Sequence, residues 1–166
     1  MNIIRYLSPG RRHELRMGVT VSGNIDLPYK DFESSMEEVM NSRLFMEDDP
    51  TNVYDPANPN WEESGVLFES VRKWLPRHPS NVLRLYNAIG SSLDQWHHVD
   101  LFFFWKEVYI TIDLSLREKW EKVDLVVSLE GMNDEDFSVL GKQIADILKE
   151  RRSWFRNNYR PISDPD

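Results

Sequence analysis

Residues 97–115, HHVDLFFFWKEVYITIDLS, place two hydrophobic runs of strand length on either side of Lys106 and Glu107. Two such runs joined by so short a polar step predict an antiparallel hairpin. Each run carries an aspartate, Asp100 near the head of the first and Asp113 near the end of the second. A carboxylate inside a buried strand is costly unless it is paired, protonated or bound to a cation. The hairpin therefore offers either a cation site or two exposed strand ends, with Lys106, Arg117 or Lys119 as ion-pair partners.

Outward from the hairpin, NVLRLYNAIG (81–90) has strand length and VDLVVSL (123–129) supplies a further strand, so four are expected. Before them, NWEESGVLFESVRKWLPRHP (60–79) spaces Trp61, Leu67, Val71, Trp74 and Leu75 as a helix that begins acidic, ends basic and stops at Pro76. At the other end, NDEDFSVLGKQIADILKERRSWFRNN (133–158) reads as a long helix capped by Asn133, with Phe137, Leu140, Ile144, Ile147 and Leu148 as its buried stripe. The expected fold is α/β: a four-stranded mixed sheet flanked by helices.

Residues 1–60 read as an N-terminal arm and 61–166 as the α/β core. Within the arm, RMGVTVSGNI suggests a short strand. YKDFESSMEEVMNSRLF (29–45) sets Phe32, Met36, Val39, Met40 and Leu44 along one helical face. MEDDPTNVYDPANPN (46–60), with three prolines and four acidic residues, reads as a linker.

The 166-residue chain has a net charge of −8, which argues against an extended basic surface for nucleic acid and leaves room for a local basic groove. With no cysteine, disulfides and thiolate zinc sites are excluded, and any metal must be held by oxygen or imidazole. No apolar run reaches signal-peptide or membrane-spanning length, so a soluble, cytoplasmic protein without membrane contact is expected.

Four aspartates fall at strand edges: Asp94 in SSLDQWHH, Asp100, Asp113 and Asp124. Carboxylates on neighbouring strands can converge on one hard cation such as Mg2+, although Asp94 also suits an Asx-type turn and Asp124 a strand start. His97 and His98, read as strand residues, would face opposite sides, so at most one meets a given site as metal ligand or phosphate contact. The FFFW run (102–105) is either a base-stacking platform or a strand buried on both faces. KERRSWFRNNYR (149–160) mixes basic and aromatic residues, a composition that suits phosphate contact and stacking as well as an ordinary basic helix end.

With GSSLDQWHHVDLFF, TIDLS and KVDLVV in place, the segment 61–152 resembles the PD-(D/E)XK nuclease superfamily, phage and bacterial members included. The resemblance implies a restriction-endonuclease-like core, Mg2+ or Mn2+ as cofactor, and hydrolysis of a phosphodiester in nucleic acid. It puts Asp100 and Asp113 in the metal and catalytic positions, with Asp94 as a further ligand and Glu69, Glu63 or Glu62 completing the shell from the helix, Glu69 foremost. Where the family has its lysine, two residues after Asp113, this chain has Ser115, so Lys119 or Lys122 would supply the ammonium from a displaced position, or the catalytic set is incomplete. Arg151, Arg152 and His98 are the expected nucleic-acid contacts. A competing expectation is a small acidic protein of phage, immunity or antitoxin type that uses the same fold to bind a protein partner or mimic nucleic-acid charge.

Overall fold

The computed structural model describes residues 27–48, 63–76, 82–114, 123–129 and 131–159. The strand expected within residues 16–25, the Trp61 helix start, and the acidic linker beyond Asp48 lie outside these residues.

The order of elements is α1 (Phe32–Ser42), β1 (Leu44–Glu47), α2 (Glu63–Arg72), β2 (Arg84–Asn87), α3 (Ser92–His97), β3 (Leu101–Trp105), β4 (Val108–Leu114), β5 (Leu125–Val127) and α4 (Asp134–Tyr159). The strands form one five-stranded sheet in the order β1-β2-β3-β4-β5. Its first three pairings are antiparallel, and β4 and β5 run parallel, with Asp113 beside Val126. The sheet is mixed and flanked by helices, as expected, but it has five strands rather than four. The extra strand is β1, from the segment read as an arm. Leu44 continues the apolar spacing of the preceding helix, but α1 ends at Ser42, and Arg43 (φ −130°) turns the chain into the sheet.

Local chemistry explains most boundaries. The Asp31 carboxylate accepts the Ser34 N–H at 2.7 Å and starts α1. Asn133 and Asp136 exchange reciprocal side-chain-to-backbone hydrogen bonds at the head of α4, so the expected cap is present and satisfies two otherwise orphaned donors. Lys106 and Glu107 both take left-handed φ angles, 48° and 68°, the turn geometry whose twist matches a two-residue hairpin. The Arg152 guanidinium donates to the Lys106 carbonyl at 3.0 Å and ties that turn to α4.

The central strands are covered on both faces. Leu101, Phe103, Ile110 and Ile112 point into a core closed by α2 and α4. Tyr86 and Phe102 point the other way, into a smaller core with Met36, Val39 and Leu93 of α1 and α3. The FFFW run therefore alternates between two helix layers. Among the described residues no helix is long and apolar enough to cross a membrane.

Helices α2 and α4 approach closely at Gly141, where an added Cβ would collide with the Ser70 carbonyl oxygen. Gly141→Ala gains up to about 1 kcal/mol of helix propensity but must push against backbone, and overpacking of this kind costs about 1–3 kcal/mol. We expect a net loss of stability in urea unfolding; an unchanged or raised midpoint would show that the helices separate freely.

Candidate metal centre and adjoining groove

The first group of functional side chains is assembled at the mouth of the β3–β4 hairpin. Ser91 caps α3, its hydroxyl accepting the N–H groups of Leu93 and Asp94. The SSLDQWHH stretch thereby becomes a short helix rather than a turn and strand, and Asp94 sits in its first turn with its Oδ2 on the Gly90 N–H at 2.9 Å. His98 ends α3 in a left-handed conformation (φ 60°), so His97 and His98 are helix-end residues and the expected alternation across a strand does not apply. The chain then enters β3 through Asp100. The Asp100 N–H donates to the Ile112 carbonyl, its own carbonyl accepts from Ala88, and its Oδ2 accepts the Leu114 N–H at 2.7 Å.

Asp100 and Asp113 are 6% and 4% exposed, so the bland alternative of solvent-exposed strand ends fails for both. The carboxyls of Asp94 and Asp100 hydrogen-bond to each other, and the charge of Asp113 acts on both. Burial, then the Asp94 charge and the hydrogen bond to Asp94, push the Asp100 carboxyl up to about 10. Burial also raises Asp94, against the opposing pull of the Asp100 hydrogen bond, the Gly90 N–H and His98. Both carboxyls of the pair are thus pushed upward, which favours one proton held between Asp94 and Asp100 at neutral pH. Among the described residues no three His, Asp or Glu side chains close into a ready-made ion cage. What holds Asp94 to Asp100 is a shared proton.

Glu69 is not part of this cluster. It pairs with Arg72, which reaches Asp48 at 3.2 Å. The Asp48 N–H donates to Leu83 ahead of β2, whereas Asp100 meets Ala88 just after β2. The length of β2 thus lies between Glu69 and the aspartates, and Glu69 is held by Arg72, which also reaches Asp48. Glu63 sits in the first turn of α2; Glu62, Ser115, Arg117, Lys119 and Lys122 lie outside the described residues.

A groove of about 1150 Å³ opens beside the cluster. His98 belongs to its wall and also interacts electrostatically with Asp94. Thr111, on the groove floor, precedes Asp113 by two positions on the same face of β4. Tyr29, Phe32, Trp96 and His97 form one side, tied together by a Trp96 indole N–H to Leu27 and by edge contacts of Tyr29 on Trp96 and Phe32 on His97. Trp154 and Phe155 of α4 contribute to the lining as well.

Between these aromatics Asp124 receives the Thr111 N–H and hydroxyl and a two-pronged ion pair from Arg151, at 2.6 and 2.9 Å. Burial alone would raise its carboxyl; the Arg151 and Thr111 donors outweigh this and hold it below its ordinary value. Asp124 thus fastens the entry of β5 to β4 and positions Arg151. Of the expected nucleic-acid contacts, Arg151 and His98 line the groove. Arg152 is 8% exposed, bonded to the β3–β4 turn and stacked over Phe155, a structural tie rather than a surface contact. The basic and aromatic mixture of residues 149–160 signalled one side of the groove; the contributions of Tyr29, Phe32 and Trp96, which join it through contacts nearly 70 residues apart, carried no local signal.

The proton held between Asp94 and Asp100 gives stability a sign. A carboxyl raised on folding contributes stability that is present at low pH and is lost as pH rises toward its folded value. Urea midpoints should therefore fall from about pH 5 to about pH 9, and Asp100→Asn, which keeps the Leu114 contact, should flatten the slope. A wild-type midpoint that rises over that interval would contradict the shared proton. Comparison of the chain with protein-family models, curated proteins and solved structures finds no match.

Proposed function

We propose that this chain is a PD-(D/E)XK nuclease-like protein that binds Mg2+ or Mn2+ at Asp94, Asp100 and Asp113 and acts on phosphodiester bonds of nucleic acid. The observation that carries the reading is the carboxyl pair of Asp94 and Asp100 at the head of one hairpin, with Asp113 near enough for its charge to act on both, although the three do not close into an ion cage among the described residues. The donor set fits: all three groups are hard oxygen ligands of the kind these cations prefer, and the shared proton occupies a position where two carboxyls face each other. A divalent ion held there supplies the charge that polarises a phosphoryl oxygen and acidifies a water. Asp100 would have to be deprotonated to serve as a ligand, and the Leu114 N–H and Gly90 N–H hold the carboxyls of Asp100 and Asp94 in orientation. The restriction-endonuclease-like core is part of the proposal and is supported by an aspartate at the entry of β3 and another on β4 of a mixed sheet. The ammonium is assigned to Lys119 or Lys122.

A second reading, an acidic protein that binds a protein partner through the same scaffold, draws on one observation. Among the described residues, Arg151 is the groove's one Arg or Lys, and Asp124 already engages it. With a net charge of −8, long-range attraction of nucleic acid is weak.

Titration calorimetry with Mn2+, run beside cleavage assays on single- and double-stranded DNA and RNA, decides between them. The nuclease reading expects Mn2+ binding that Asp113→Ala weakens by at least the roughly 10–100-fold that loss of supporting groups costs other metal sites, with cleavage lost in parallel. Absence of Mn2+ binding by the folded wild type would remove the metal reading and leave the scaffold.

A further inference from the structure

Resting on the reading above for its biological setting but not for its test, we infer that the groove beside the acidic cluster holds single-stranded nucleic acid by stacking unpaired bases on Trp96, Tyr109 and Trp154. The composition of the lining carries the inference. Six of the thirteen lining residues are Phe, Tyr or Trp, and among the described residues Val108 is the one aliphatic member. Aromatic faces are what bases stack on, whatever their sequence. A proline-rich segment also takes aromatic-lined grooves, and failure of the oligonucleotide below to bind would leave that occupant.

The aromatics are also presented rather than packed away. Trp96, Tyr109, Trp154 and Tyr29 are four of the large hydrophobic side chains the fold leaves exposed, Trp154 at 57%, and all four line this one groove. The volume, about 1150 Å³, is at the upper limit of the roughly 300–1,000 Å³ typical of small-molecule sites and suits a segment of polymer. Bases paired inside a duplex have no free face to offer, so the occupant is single-stranded.

Arg151 is placed for the backbone, and the geometry sets how much it can give. Its Nη1 bonds Asp124 and the Tyr109 carbonyl, and its Nη2 bonds Asp124. A guanidinium has five N–H donors, so one Nη2 hydrogen and Nε–H remain for a phosphate oxygen. With so little cationic charge, binding depends on stacking, and its salt dependence is shallow: one or two neutralised phosphates give a slope of about −0.7 to −1.4 in log K against log salt.

The test uses the full chain in EDTA, so that no metal-dependent step intervenes, with a labelled oligothymidylate about a dozen nucleotides long and its duplex followed by anisotropy. The single strand should bind in preference to the duplex with the shallow slope, and Trp154→Ala and Trp96→Ala should each weaken it roughly tenfold. Trp74→Ala alters another exposed tryptophan, one under Lys73 and Lys142 and outside the groove, and should change nothing. No binding, a duplex preference, a steep salt slope, or sensitivity to Trp74 with the groove variants unaffected would each overturn the inference. If Mn2+ binding is absent while oligonucleotide binding persists, the metal reading fails and the groove stands; Mn2+ binding without oligonucleotide binding has the opposite meaning.

Discussion

Helices cover both faces of the β3–β4 hairpin, so any carboxyl at its mouth must find a partner inside the protein. That constraint governs the arrangement around Asp100. Its side chain reaches a backbone N–H on β4 and shares a proton with Asp94, and its main chain bonds both flanking strands. The short helix α3 exists in this setting to deliver Asp94: Ser91 caps it, His98 stops it, and the next residues lead directly into β3. Removing water from three carboxyls at once is costly, and a single shared proton relieves only part of the repulsion. Hydrogen bonds from Gly90 and Leu114, and the His98 imidazole acting on Asp94, add to the compensation.

Much of this was legible in the amino-acid sequence, for reasons that can be assigned. Helices α1, α2 and α4 carry apolar residues at three- and four-residue steps over ten or more positions, long enough for periodicity to speak. The hairpin declared itself through two hydrophobic runs and a two-residue joint. Strand β1 did not, because LFME follows directly on a helix whose stripe Leu44 happens to continue. Helix α3 did not either, since six residues rich in Ser, Asp and His give no period and resemble a turn. At the site, Asp100 and Asp113 were readable as neighbours because the antiparallel register that pairs Leu101 with Ile112 sets them opposite each other, whereas Asp94 comes from α3, a helix the sequence did not announce. Glu69 was not placeable, since a helix phase fixes a face but not which of several charges on the neighbouring elements will claim it. Arg152 misled for a related reason: adjacent arginines on a helix point about 100° apart, and here one faces the groove while the other is folded over the hairpin turn.

Asp124 and Arg151 join two aspects of the molecule. Their ion pair, with Thr111 beneath it, closes the parallel β4–β5 step that a short strand of three residues would hold weakly alone. The same pair divides the groove's aromatic lining with a charge-balanced strip, so the site is less attractive to a polyanion at a distance than its arginine would suggest. A ligand that uses Arg151 must share it with Asp124, an arrangement that favours discrimination at close range over capture from afar.

The length of α4 has a mechanical side. At about 1.5 Å per residue, Trp154 lies some 20 Å along the axis from Gly141, where the helix rests against the Ser70 backbone with no side chain between. The helix is pinned again near that far end, where Arg151 holds the Tyr109 carbonyl and Asp124 and Arg152 holds the Lys106 carbonyl. It is thus a strut clamped at two places, and the groove wall that carries Trp154 is as fixed as the hairpin to which it is tied.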